Sequence, residues 1–93
     1  SEVNMAARLY IEGLPSHFDE DDLLDLCEPY GAVYEAEILD DRTDGTFGGN
    51  AIVDYEDLDD ARSAADELDG YELDGKRLTV SYSPRKRTLS SYD

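Results

Sequence analysis

The spacing of apolar residues switches between two and about 3.6 along this chain, in an order that few folds accommodate. RLYIEGLP alternates, with Leu9 and Ile11 on one side and Tyr10 and Glu12 on the other. This predicts a half-buried strand ended by Gly13 to Pro15. SHFDEDDLLDLCEPYG then changes period. Asp19 is a good N-cap, and Asp22 three positions on is a shorter stand-in for the glutamate of a capping box. Leu23, Leu26, Cys27 and Tyr30 fall on one helical face, and Pro29 and Gly31 close the helix.

The period returns to two in AVYEAEIL, residues 32–39. Ala36 and Ile38 there alternate against Glu35, Glu37 and Leu39. After a turn-rich loop, NAIVDY reads as a third strand, with Ala51, Val53 and Tyr55 opposite Asn50, Ile52 and Asp54. EDLDDARSAADELDG is a second helix that Asp57 can cap. Its stripe of Ala61, Ala64, Ala65 and Leu68 is small enough to lie close to a sheet, and Gly70 stops it. YELDG reads as a turn or minor hairpin, and KRLTVSY as the last strand, with Leu78 and Val80 inward.

Strand, helix, strand, strand, helix, strand is an α+β order, βαββαβ. Two right-handed crossovers place both helices on one face of a four-stranded antiparallel sheet. The other face is left open, and function is expected there. Residues 1–7 read as a flexible leader, 8–82 as the folded domain and 83–93 as a basic, mobile tail.

Charge divides the same way. The 93 residues carry a net −16. Residues 1–75 hold three basic and 23 acidic side chains, a net −20, whereas residues 76–93 hold five basic and one acidic, a net +4. The body repels polyanions and the tail attracts them. The single cysteine, Cys27, forms no internal disulfide, which fits an intracellular, reducing location. No apolar run is long enough for a membrane span.

LYIEGL (residues 9–14), GGNAIVDY (48–55) and LDGYELDGKRLTV together resemble the RNA recognition motif family from about Arg8 to Tyr82. The first stretch resembles the family's strand-one hexamer and the second, in part, its strand-three octamer. The resemblance implies a ferredoxin-like sandwich that binds single-stranded RNA. Aromatic rings on the two central strands stack on bases, and basic side chains hold phosphates. It also implies work in RNA processing or mRNA metabolism and a nuclear or nucleocytoplasmic location.

Carried over by position, the match is mixed. Tyr10 is aromatic where the hexamer has a ring. Asn50 and Ile52 occupy the two ring positions of the octamer, and Gly48 stands where a basic residue is usual. Two missing rings remove roughly 2–6 kcal/mol of stacking. By strand parity Glu12, Glu35, Glu37 and Asp54 face outward, against Arg77 as a basic residue. The expectation is weak RNA binding by Tyr10, with Asn50, Ile52 and Arg77 assisting and Arg85, Lys86 and Arg87 steering phosphates. The ring-poor octamer is loosely similar to that of mRNA-export adaptors of the Aly/REF type.

A second reading stays open. Ile52 and Leu39 are either ordinary surface apolars or, beside Tyr10, an exposed patch that holds a protein partner in a ribonucleoprotein complex. Leu24 on the first helix offers another possible contact point. PRKR (residues 84–87) reads equally as a nucleic-acid patch or a solubilising tail. Residues 40–51 lack the bidentate glutamate of a calcium loop, and one histidine with one cysteine makes no zinc site. No catalytic set is present, so the expectation is a non-enzymatic module with no cofactor, metal, membrane partner or small-molecule substrate.

Overall fold

A computed structural model describes residues 5–39 and 49–86. The first strand, β1 (Ala6–Glu12), turns Ala7, Leu9 and Ile11 into the core and Arg8, Tyr10 and Glu12 away from it. α1 (Glu20–Cys27) follows a reciprocal cap: Asp22 N–H donates to Asp19 Oδ1 at 2.9 Å, and Asp19 N–H donates to Asp22 Oδ2 at 3.0 Å. Asp22 thus fills the glutamate's role in the capping box, as its spacing predicts. Leu23 and Cys27, one turn apart, are fully buried. A short 3-10 turn over Glu28–Tyr30 carries Pro29, which cannot extend the α-helical hydrogen bonding.

β2 (Val33–Leu39) and β3 (Asn50–Tyr55) form an antiparallel pair. The Tyr55 hydroxyl donates to the Cys27 carbonyl at 2.7 Å, tying β3 to the end of α1. α2 (Leu58–Leu68) starts at Asp57, whose carboxylate accepts from Asp59 N–H, and buries Ala61, Ala64, Ala65 and Leu68. β4 (Glu72–Leu73) and β5 (Lys76–Arg77) make a two-stranded ribbon. Asp74 and Gly75 link them, both at positive φ, as a tight hairpin turn requires. The last strand is β6 (Thr79–Arg85).

The main sheet has the order β2-β3-β1-β6 and is antiparallel throughout. α1 packs on β2 and α2 packs on β1, β3 and β6, so both helices cover one face. Leu9, Leu23, Val53, Tyr55, Leu68 and Leu78 fill the space between the layers. The expected ferredoxin-like architecture is the one observed. Among the described residues no helix is long and apolar enough to cross a membrane.

Three boundaries differ from expectation. β1 begins at Ala6, and Ala6 and Ala7 are buried, so the leader does not extend to residue 7. Paired alanines carry no alternation signal, which is why the strand start is invisible in the sequence. β6 runs through Arg85, so Ser83, Pro84 and Arg85 belong to the sheet and not to a tail. Val80 N–H donates to Asp69 Oδ1 and therefore points away from β1, and by the two-residue repeat so does the edge at Pro84. A proline there removes no hydrogen bond from the ladder. Finally, Lys76 and Arg77 pair with the ribbon and are not part of the last sheet strand.

Candidate nucleic-acid interface

The open face consists of rows of side chains across four strands. In the central row Tyr10 stands between Ile52 on β3 and Ser81 on β6, and Glu37 on β2 lies beyond Ile52. Tyr10 is 37% exposed, which leaves its ring available to a ligand. The next row reads Leu39, Asn50, Glu12 and Thr79. Asn50 and Leu39 are exposed and Ile52 is half-buried. Leu39 lies diagonally from Ile52, within reach of a shared apolar contact.

The third row changes the electrostatics expected of this face. Arg8 sits between Asp54 and Ser83, and Glu35 lies on the far side of Asp54. Arg8 Nε donates to Asp54 Oδ1 at 2.7 Å and Nη2 to Oδ2 at 3.0 Å. Asp54 is only 4% exposed. The hydrogen-bonded carboxylate raises the Arg8 pKa, against a smaller opposing effect of burial. Asp54 is therefore not a free negative charge on the platform. The remaining outward carboxylates are Glu12, Glu35 and Glu37, all exposed.

The expected basic helper lies elsewhere. Arg77 is on β5, and its Nη1 donates to the Gly70 carbonyl at 2.9 Å. It belongs to the ribbon, outside the four-stranded sheet, because the turn at Asp74 and Gly75 folds it back onto Glu72. Arg85 closes β6 opposite Ala6, and Lys86 follows; both are exposed. Arg87 lies outside the described residues, as does most of the loop considered for calcium. Leu24 is half-buried on α1, on the helix side of the sheet, and cannot join Tyr10, Ile52 and Leu39 in one patch.

One side chain on this face does not follow from the period. A bulge in β2 shifts the register between Val33, opposite Tyr55, and Glu35, opposite Asp54. Tyr34 is the extra residue, and it is 58% exposed. It and Tyr10 lie near enough to the Arg8 guanidinium for their ionised forms to favour its charge. The alternation from Glu35 onward is readable in the sequence; the break just before it is not.

The RNA recognition motif model matches residues 9–79, most of the chain. The chain belongs to the RNA recognition motif family. Its similarity to curated members is broad. It is 37% identical over 83 residues to heterogeneous nuclear ribonucleoprotein Q of Arabidopsis thaliana, which covers 89% of this chain and 17% of that protein. It is 33% identical over 93 residues to a splicing factor 3B subunit 6-like protein of the same plant, covering 99% of this chain and 70% of the relative. A solved Rna15 RNA recognition motif with bound RNA (GU) superposes with a TM-score of 0.71 at 32% identity, covering 82% of this chain and 81% of that one. The domain thus spans less than a fifth of the first of these relatives and over two thirds of the second.

Within this RNA recognition motif the strand-three octamer is the exception. Asn50 and Ile52, which by resemblance take the octamer's ring positions, stand on the open face, while the inward Ala51, Val53 and Tyr55 keep the core. Packing the core and presenting a face are separate demands on alternate residues of one strand. This chain meets the first and alters the second.

Proposed function

We propose that this domain binds single-stranded RNA weakly through its open sheet face, as a module of a nuclear RNA-processing protein. The observation that carries the reading is the exposure of Tyr10 in the central row, between Ile52 and Ser81. One ring on the two central strands is worth about 1–3 kcal/mol of base stacking. Asn50 adds hydrogen bonds beside it. Arg85 and Lys86, at the end of β6, attract phosphates across an otherwise acidic domain. The Arg8–Asp54 pair lightens the repulsion expected from the face without making it basic. The kinship with a splicing factor-like protein and with an RNA-bound Rna15 domain supports the assignment to RNA processing.

Fluorescence anisotropy with a short labelled single-stranded RNA at low salt tests this. Tyr10→Ala weakens binding at least fivefold, and Arg85→Ala with Lys86→Ala weakens it further and flattens its salt dependence. Equal affinity of wild type and Tyr10→Ala contradicts a sheet-face site.

A second reading draws on the exposure of Leu39, at 41%, diagonal to Ile52 and near Tyr10. These three side chains form an apolar strip bordered by Glu12 and Glu37, suited to a basic protein partner in a ribonucleoprotein complex. Under that reading, RNA leaves the face unperturbed.

A further inference from the structure

Tyr34 is the most exposed large apolar side chain among the described residues, and it contributes to no part of the core. The β2 bulge sets Tyr34 and Glu35 together against Asp54, and Arg8 reaches Asp54 from the other side. Arg8 starts on β1, but its guanidinium reaches the Asp54 carboxylate on β3, the strand that pairs with β2. A solvated ring and a part-exposed guanidinium thus flank the same buried carboxylate. We propose that Tyr34 and Arg8 form a second nucleobase subsite on the open face, selective for keto bases, guanine or uracil. It deepens the RNA-binding reading above and rests on it.

The ring supplies the stacking surface, which any base accepts. Selectivity comes from Arg8. A guanidinium has five N–H donors, and Asp54 occupies two of them. The others remain for a ligand, and the Arg8 side chain is 28% exposed. They suit a base edge rich in acceptors, such as O6 and N7 of guanine or the carbonyls of uracil. On the edge where guanine carries O6 and uracil O4, adenine and cytosine carry amino groups, which set donor against donor. The selectivity requires that Arg8 meet this edge and not the O2 and N3 acceptors of cytosine. Asp54 sets the plane of the fork, a positioning role that needs no contact with the base.

Tyr10 and Tyr34 stand on strands separated by β3, about 10 Å apart at the usual strand spacing. Ring contacts extend only to about 7 Å, so one base cannot engage both. The two tyrosines therefore hold different bases of one extended strand. Asp54 already balances the charge of Arg8, so occupying this subsite releases few counterions. Its contribution is expected to be nearly independent of salt, unlike that of Arg85 and Lys86.

The test compares single-stranded GU-repeat and AC-repeat RNAs of equal length by anisotropy, over a range of salt. Tyr34→Ala weakens binding of the GU strand about five- to hundredfold with an unchanged salt slope. Tyr34→Phe, which keeps the ring, binds like wild type. Arg8→Lys, which keeps a charge against Asp54 but removes the planar fork, reduces the preference for GU over AC. If Tyr34→Ala binds as wild type does while Tyr10→Ala loses binding, the subsite is refuted and the RNA reading stands. If neither ring matters, both are refuted. Equal affinity of the wild type for the two RNAs overturns the keto preference.

Discussion

Arg8 holds Asp54 by two nearly parallel hydrogen bonds across neighbouring strands, Nε to Oδ1 at 2.7 Å and Nη2 to Oδ2 at 3.0 Å. The carboxylate is almost fully buried and the guanidinium partly so. The pair consumes one of the acids that face the ligand side and fixes the only cation in the body of that face among the described residues.

Removing one partner leaves the other uncompensated. Arg8→Met is expected to cost about 3 kcal/mol, the lower end of the range for a broken buried pair because Arg8 reaches solvent. Replacing both, Arg8→Met with Asp54→Leu, recovers most of that loss. Urea unfolding of the two variants checks the contrast; equal destabilisation by both would show that packing, not charge pairing, holds this position.

Restoring the family's rings provides a gain-of-function test. Asn50→Phe and Ile52→Phe each place an aromatic side chain on the open face, where neither native residue is deeply packed. Each ring adds about 1–3 kcal/mol to RNA binding, a five- to hundredfold lower Kd in anisotropy. No gain would mean that charge rather than stacking limits affinity.

The basic end of β6 is expected to govern the salt response. Each phosphate neutralised on a single strand contributes about 0.7 to the slope of log affinity against log salt. Arg85→Ala with Lys86→Ala removes two such cations and lowers the slope by about 1.4. Titrations over a range of potassium chloride concentrations measure it directly.

Alkali should unfold the domain through its buried acids. Burial raises the Cys27 thiol from 9.0 to about 11, partly offset by the adjacent Tyr55 hydroxyl. Burial also raises the Tyr55 phenol. Both groups are protonated in the folded state where the unfolded chain has already lost protons. Their contribution to stability is thus fully present below about pH 9 and is lost as pH rises toward 11, by about 2–3 kcal/mol from Cys27. Denaturant midpoints measured across this range should decline, and Cys27→Ala should remove the early part of the decline.

Most of the fold is readable because each element repeats one simple signal. Leu9 and Ile11 alternate, Leu23 and Cys27 recur one turn apart, and Asp19 with Asp22 marks the start of α1 in the sequence as in the structure. Tyr10 is readable for the same reason. The rest depends on relations that a one-dimensional pattern does not carry. Arg8 and Asp54 are 46 residues apart, and only the register of β1 against β3 makes them partners. Arg77 looks like sheet because its neighbours alternate, yet Asp74 and Gly75 turn it into a ribbon. Tyr34 escapes because a bulge breaks the period where it stands.

The central claim is that the open face, organised around Tyr10, binds RNA. Backbone NMR of the whole chain, titrated with a short single-stranded RNA at low salt, tests it most directly. The predicted result is progressive, fast-exchange movement of the Tyr10, Ile52 and Ser81 signals together with those of Arg85 and Lys86, with the sheet movements abolished in Tyr10→Ala. Movement confined to Arg85 and Lys86, or none at millimolar RNA, would contradict it.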